Sequence, residues 1–213
     1  MSIIKRKSNN RPIPIQICIS CEGQTEKIYF LHLRKLLRDR NKNNIIQIKI
    51  DKSHKQNADG VVKNAKTKYY DGEFNKEFRK NTKIYCVFDK DQNTPKQISD
   101  AIRLANQIKA EIIFSNPSFE VWFYAHYKDD IKHISKSTLN NFLSKNENLG
   151  TNFKAENNNN FGRLKNKIDN AVKTAKKIQK ENKYEDEGNP HTDVFKIIEY
   201  IEQITQEKIN NMI

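Results

Sequence analysis

The chain has 213 residues, of which 36% are hydrophobic and 31% charged, enough for one buried core with a smaller appended region. No apolar run approaches the ~20 residues of a helical membrane span, and the basic stretch from Met1 to Arg11 lacks the apolar segment of a signal peptide, so a cytoplasmic protein without membrane contact is expected. Lys and Arg number 39 against 26 Asp and Glu, a net charge of +13 that attracts polyanions such as nucleic acid, although a lysine-rich composition alone would produce it too.

Residues 1–12 read as a flexible basic arm. Ile13 to Ser20 is the first predicted strand, entered through Pro12 and Pro14. It runs into Cys21-Glu22-Gly23-Gln24-Thr25-Glu26, where Gly23 suits a tight turn and Thr25 an N-cap. The helix that follows carries Ile28, Phe30, Leu31, Leu33, Leu36 and Leu37 on one face and a basic cluster, Arg34, Lys35, Arg38 and Arg40, near its end. Cys18 and Cys21 form a C-x-x-C without the second pair or spaced histidines that zinc requires. With Cys86 they make an odd set of three in apolar surroundings, which reads as core cysteines of a reducing compartment.

Ile45 to Ile50 alternates as a second strand, and Ala58 to Tyr70 reads as a helix, with a further helical turn around Phe74 and Phe78. Ile84 to Phe88 is an apolar third strand that ends in Asp89-Lys90-Asp91. Two carboxylates at a strand exit suit a hard divalent cation; a polar turn would use the same residues. Thr94-Pro95 opens a helix to Lys109. Ile112 to Phe114 is the fourth strand, and Asn116 with Pro117 reads as the start of an aromatic helix holding Glu120 in its first turn and running to Tyr127.

Strands alternating with helices over residues 13–128 predict an α/β core with a mostly parallel sheet. Residues 129–213 read as a helical C-terminal region packed on it: a short helix over Ser135–Asn146, a loop at Asn157–Asn160, a lysine-faced helix from Phe161 to Lys180, and a last helix starting near Asn189-Pro190-His191-Thr192. In a parallel sheet all strand exits share one edge, so Glu22, Asp89, Asp91 and Glu120 should converge there. Several converging carboxylates are costly without a neutralising cation.

These residues resemble a known family. Glu22-Gly-x-Thr-Glu-x-x-Tyr-Phe, Phe88-Asp89-Lys90-Asp91, Ser115-Asn-Pro-x-Phe-Glu120 with His126, and Asn189-Pro-x-Thr192 together are similar to the RloB family, and the first two to the Toprim signatures. The resemblance implies a Toprim-like, Rossmannoid α/β core and a Mg²⁺-dependent (or Mn²⁺-dependent) nuclease acting on DNA or RNA, tRNA included. It also implies a place in phage defence and abortive infection, beside an ATPase partner.

On that reading Asp89 and Asp91 hold the metal, Glu22 is general base or a further ligand, and Glu120 binds a second metal or orients water. Glu26, Lys90, His126 and His191 stand in support. Each has a plainer reading: helix-end acid for Glu26, solvated lysine for Lys90, packed histidine for His126 and helix-start residue for His191. Substrate grip falls to Arg34, Lys35 and Arg38 and to Lys165, Lys173 and Lys177. The competing reading is a non-catalytic subunit that binds nucleic acid or docks on a partner. No Walker-type Gly-Lys-Ser/Thr loop is present, so ATP hydrolysis by that route is not expected.

Overall fold

Five strands form one sheet in the order β2-β1-β3-β4-β5, parallel throughout except for the antiparallel edge strand β5. The computed structural model describes residues 14–40, 42, 45–72, 81–91, 93–129, 132–150, 153, 157–181 and 188–213. The strands are β1 (Ile15–Cys21), β2 (Ile46–Lys52), β3 (Thr82–Asp89), β4 (Glu111–Asn116) and β5 (His191–Thr192). The basic arm and the helical turn expected around Phe74 and Phe78 fall outside the described residues.

β1 and β3 are nearly continuous apolar runs because helices cover both sheet faces. Ile17, Ile19, Cys21, Tyr85 and Val87 face one layer: α1 (Gln24–Asp39), α4 (Glu120–Ala125), α6 (Asn157–Leu164), α7 (Ile168–Glu181) and α8 (Val194–Thr205). Cys18, Ile84, Cys86 and Phe88 face the other: α2 (Ala58–Ala65) and α3 (Pro95–Gln107). The odd spacing of Cys18 and Cys21 therefore sends them to opposite faces. All three cysteines are buried thiols outside any disulfide, and burial pushes the Cys86 thiol up to about 12, so they are packing residues.

The connections decide where a ligand can sit. β1 leads through α1 on one face to its neighbour β2, whereas β3 leads through α3 on the opposite face to β4. Adjacent strands whose connections part in this way leave a crevice between their carboxyl ends. Here it opens between β1 and β3, where Glu22 and Asp89 lie.

Several local expectations change. α1 starts at Gln24 with Gly23 as N-cap, so Thr25 lies inside the first turn and caps nothing. Gly23 has φ −113° and ψ 179°, ordinary extended backbone. Its need for glycine is spatial, since an added Cβ would sit 2.5 Å from Glu26 Oε2. The predicted helix 58–70 is α-helical to Ala65 and continues as a π-helical stretch, Lys66–Gly72. Asn116 is not a helix cap: it remains in β4, paired with His191, and the helix begins at Glu120.

The C-terminal region departs most. It supplies β5 as well as helices, and α6 contains the asparagine tract read as a loop. Tertiary contacts override the weak helix propensity there: Asn160 Nδ2 donates to the Phe153 carbonyl (2.6 Å) and Phe161 packs on Tyr29 of α1. The lysine-faced helix is interrupted by a 3-10 turn, Lys165–Lys167. The Ser135 helix is observed as α5 (Lys136–Leu143), with Ser135 its cap. The Thr94 capping box is present as expected: Thr94 Oγ1 accepts from the Gln97 amide at 3.3 Å, and Gln97 Oε1 from the Thr94 amide at 2.8 Å.

Candidate active site

Glu22 is set by pairing that continues one residue beyond β1, its amide donating to the Val87 carbonyl at 3.0 Å. Its carboxylate accepts from the Asp89 amide (3.0 Å) and from Asn93 Nδ2 (3.2 and 3.3 Å). Asn93 also donates to the Asp89 carbonyl (2.7 Å) and accepts from the Ala58 amide (2.6 Å). This buried amide thus ties the exits of β1 and β3 to the start of α2. Past β3, Lys90 donates from its amide to the Ser115 carbonyl and Asp91 to that of Pro117, locking the exits of β3 and β4 together.

An aromatic cluster sets the third wall. Tyr29 and Phe30 of α1 pack edge-on against Phe119, and Tyr29 also meets Trp122 and Phe123 of α4. The Tyr-Phe of the first motif and the Phe-Glu of the third are therefore the contact that holds Glu26 of α1 opposite Glu120 of α4.

The result is a cavity of about 200 Å³ lined by Glu22, Gly23, Thr25, Glu26, Gln56, Asp89, Phe119, Glu120 and Lys136. Its size suits a hydrated ion or a phosphate group rather than a whole nucleoside, given that drug-sized ligands occupy ~300 Å³ or more. Four carboxylates face it, all buried or nearly so. Burial pushes the Asp89 carboxyl well above the usual range, and the charges of Glu26 and Glu120 add to this. Burial, with Glu120 and Glu22 beside it, raises Glu26 to about 7. Glu22 is raised too, chiefly by burial, while its bonds to the Asp89 amide and Asn93 pull the other way.

Two acids exchange the places expected of them. Glu26, read as a helix-end acid, lies in the cavity at 4% exposure. Asp91, expected to share the metal with Asp89, stands at the rim in an ion pair with Lys136 and does not line the cavity. Asp89 Oδ1 is buried with no hydrogen-bond partner among the described residues. An orphaned carboxylate oxygen within an all-oxygen donor set suits a hard dication. As the side chains stand, no three Asp, Glu, His or Cys groups among the described residues lie at ligand spacing. Glu22 is turned to Asn93 and Asp91 to Lys136, and Asp89, Glu26 and Glu120 must draw together to share an ion.

The supporting residues scatter. His126 closes α4 as a packed histidine, its Nδ1 at 2.8 Å from the Trp122 carbonyl and its ring edge-on to Trp122, with burial lowering it to about 3. His191 sits in β5, not at a helix start, and pairs with Asp193 at 3.1 Å. Lys90 is half-buried just beyond β3. Neither basic cluster lines the acid cavity. Arg34, Lys35 and Arg38 border a separate groove of about 680 Å³ with Ile28, Leu31 and Ile48, about 12–18 Å along α1 from Glu26 at 1.5 Å per residue. Lys173 and Lys177 border another, about 490 Å³, beside Asp129, and Lys165 is half-buried in the 3-10 turn.

Asn93 and Lys136 escaped the sequence reading. Asn93 had a faint signal, two residues past the Asp-x-Asp. Lys136 had none, since only tertiary packing brings the start of α5 to the cavity mouth.

A family model described as RloB-like protein covers residues 17–201. No curated protein and no solved structure matches the chain.

Proposed function

The chain belongs to the RloB-like family, and on that premise we propose that it is a Mg²⁺-dependent, Toprim-type nuclease that cleaves phosphodiester bonds in nucleic acid. One observation carries the reading. Glu22, Glu26, Asp89 and Glu120, from three separate strand exits, line one cavity at the switch point, with Asp89 Oδ1 buried there and without a partner among the described residues. Such a set is unfavourable until a cation neutralises it.

Asp89, Glu26 and Glu120 are the residues that would hold Mg²⁺ or Mn²⁺, with Asp91 joining from the rim. A bound ion supplies phosphate polarisation and an acidified water. The chain's own groups do the rest. Glu22, oriented by Asn93 and the Asp89 amide, is placed to take a proton from that water. The lysines of α7 and the Arg34 groove supply positive flanks for a polyanion wider than the cavity. Family membership supports an effector role in phage defence alongside an ATPase partner.

The test is incubation of labelled DNA and RNA pools with Mg²⁺ or Mn²⁺ against EDTA, using wild type and Asp89→Asn. Cleavage that needs the metal and disappears in the variant is expected. A folded wild type that cleaves neither pool in either metal overturns the proposal. The separation of both basic clusters from the acids favours a second reading, a non-catalytic nucleic-acid-binding subunit. It predicts salt-sensitive binding with no cleavage.

A further inference from the structure

Lys136 is the only cation lining the carboxylate cavity among the described residues, and it comes from the C-terminal region rather than from the strand exits. Its backbone is held independently of the acids. Ser135 caps α5 by accepting from the Thr138 amide (3.1 Å), and the Ile134 amide donates to Asn189 Oδ1 (3.2 Å). Ile134 and Leu139 pack on Val121 of α4, the residue next to Glu120. The Asn189 motif therefore fixes the root of Lys136 beside the third wall of the cavity. Thr192 of the same motif meets Ser115 (3.3 Å) and secures β5 to β4.

The side chain then reaches Asp91 and pairs with it at the rim. A four-carbon stem carrying a compact charge swings between nearby anions without backbone movement. A phosphate at the cavity mouth lies within reach of the same root.

We propose that Lys136 is an exchangeable counter-charge for this site. It holds Asp91 while the carboxylates are metal-free, gives Asp91 up when a divalent cation enters, and then contacts the substrate phosphate. The proposal rests on the nuclease reading above. It makes Lys136 a competitor of the metal and a partner of the substrate, so the two effects of removing it run in opposite directions. A purely structural lysine would weaken both.

The experiment is calorimetric titration of the full chain with Mn²⁺, without nucleic acid, for wild type, Lys136→Met and Lys136→Arg, followed by single-turnover cleavage at saturating Mn²⁺. Removing the positive charge should tighten Mn²⁺ binding about tenfold in Lys136→Met, as expected for one like charge beside the site. Lys136→Arg should keep wild-type affinity. Cleavage by Lys136→Met should fall about 100-fold, the cost of losing one donor to a developing phosphate charge. Mn²⁺ binding by Lys136→Met that is unchanged or weaker overturns the proposal, as does wild-type cleavage. A wild type that binds no Mn²⁺ removes the nuclease reading itself, a result separable from failure at Lys136.

Discussion

Glu26→Gln should stabilise the protein at alkaline pH, by an amount the structure specifies. The unfolded glutamate titrates near 4.5 and the folded one near 7, raised by burial and by Glu120 and Glu22. Between those values the native state holds a proton that the unfolded chain has released, so stability falls as pH rises through this window. Above pH 7 the accumulated cost is about 3 kcal/mol, at about 1.4 kcal/mol per unit. Glutamine keeps the length and an accepting oxygen for the Gly23 and Glu26 amides but never carries the charge.

Urea unfolding in EDTA at pH 8 and pH 4.5 measures this. At pH 8 the variant should gain about 3 kcal/mol, a midpoint shift on the order of 1 M with a slope of ~2–3 kcal/mol/M. At pH 4.5 the gain should shrink below ~0.5 kcal/mol, because the native carboxyl is protonated and the unfolded one half so. An equal gain at both pH values would show a packing effect instead, and no gain at pH 8 would refute the reasoning. Saturating Mg²⁺ at pH 8 should narrow the difference, since the ion stabilises wild type more than a variant that has lost one of its carboxylate donors.

Asn93→Ala removes a buried amide that serves Glu22, the Asp89 carbonyl and the Ala58 amide. The orphaned groups should cost about 2–4 kcal/mol in urea unfolding; wild-type stability would mean the network is dispensable. Gly23→Ala should displace the Glu26 carboxylate, which lies 2.5 Å from the new Cβ, and weaken Mn²⁺ binding while circular dichroism stays native. Unchanged affinity would take Glu26 out of the metal account. Because Asp89, Glu26 and Glu22 are all raised, Mn²⁺ binding should release protons and tighten from pH 5.5 to 8; a flat profile contradicts this. Neutralising Arg34, Lys35 and Arg38 together should lower the salt dependence of nucleic-acid binding by about 1 in log–log slope for each phosphate no longer neutralised. An unaltered slope places the binding surface elsewhere.

The parallel sheet and the meeting of acids at its edge were legible because they rest on local signals. β3 reads as a buried apolar run, Thr94-Pro95 as a helix start, and parallel strands bring their exits together by topology alone. Local signals failed where long-range contacts compete with propensity. The asparagines of α6 became helical once Phe161 found Tyr29, and Asn116 stayed in the sheet once His191 paired with it.

Sequence alone therefore determined the layout of this protein: the four parallel strands, which edge carries Glu22, Asp89 and Glu120, and which family the chain resembles. Tertiary structure alone decided the membership of the site. Glu26 entered because Tyr29 and Phe119 bring α1 against α4, and Gly23 leaves room for its carboxylate. Asp91 left for the rim because α5 delivers Lys136 beside it. Spacing along a strand sets which face a residue takes, whereas the partner it meets there comes from elements far away in the chain.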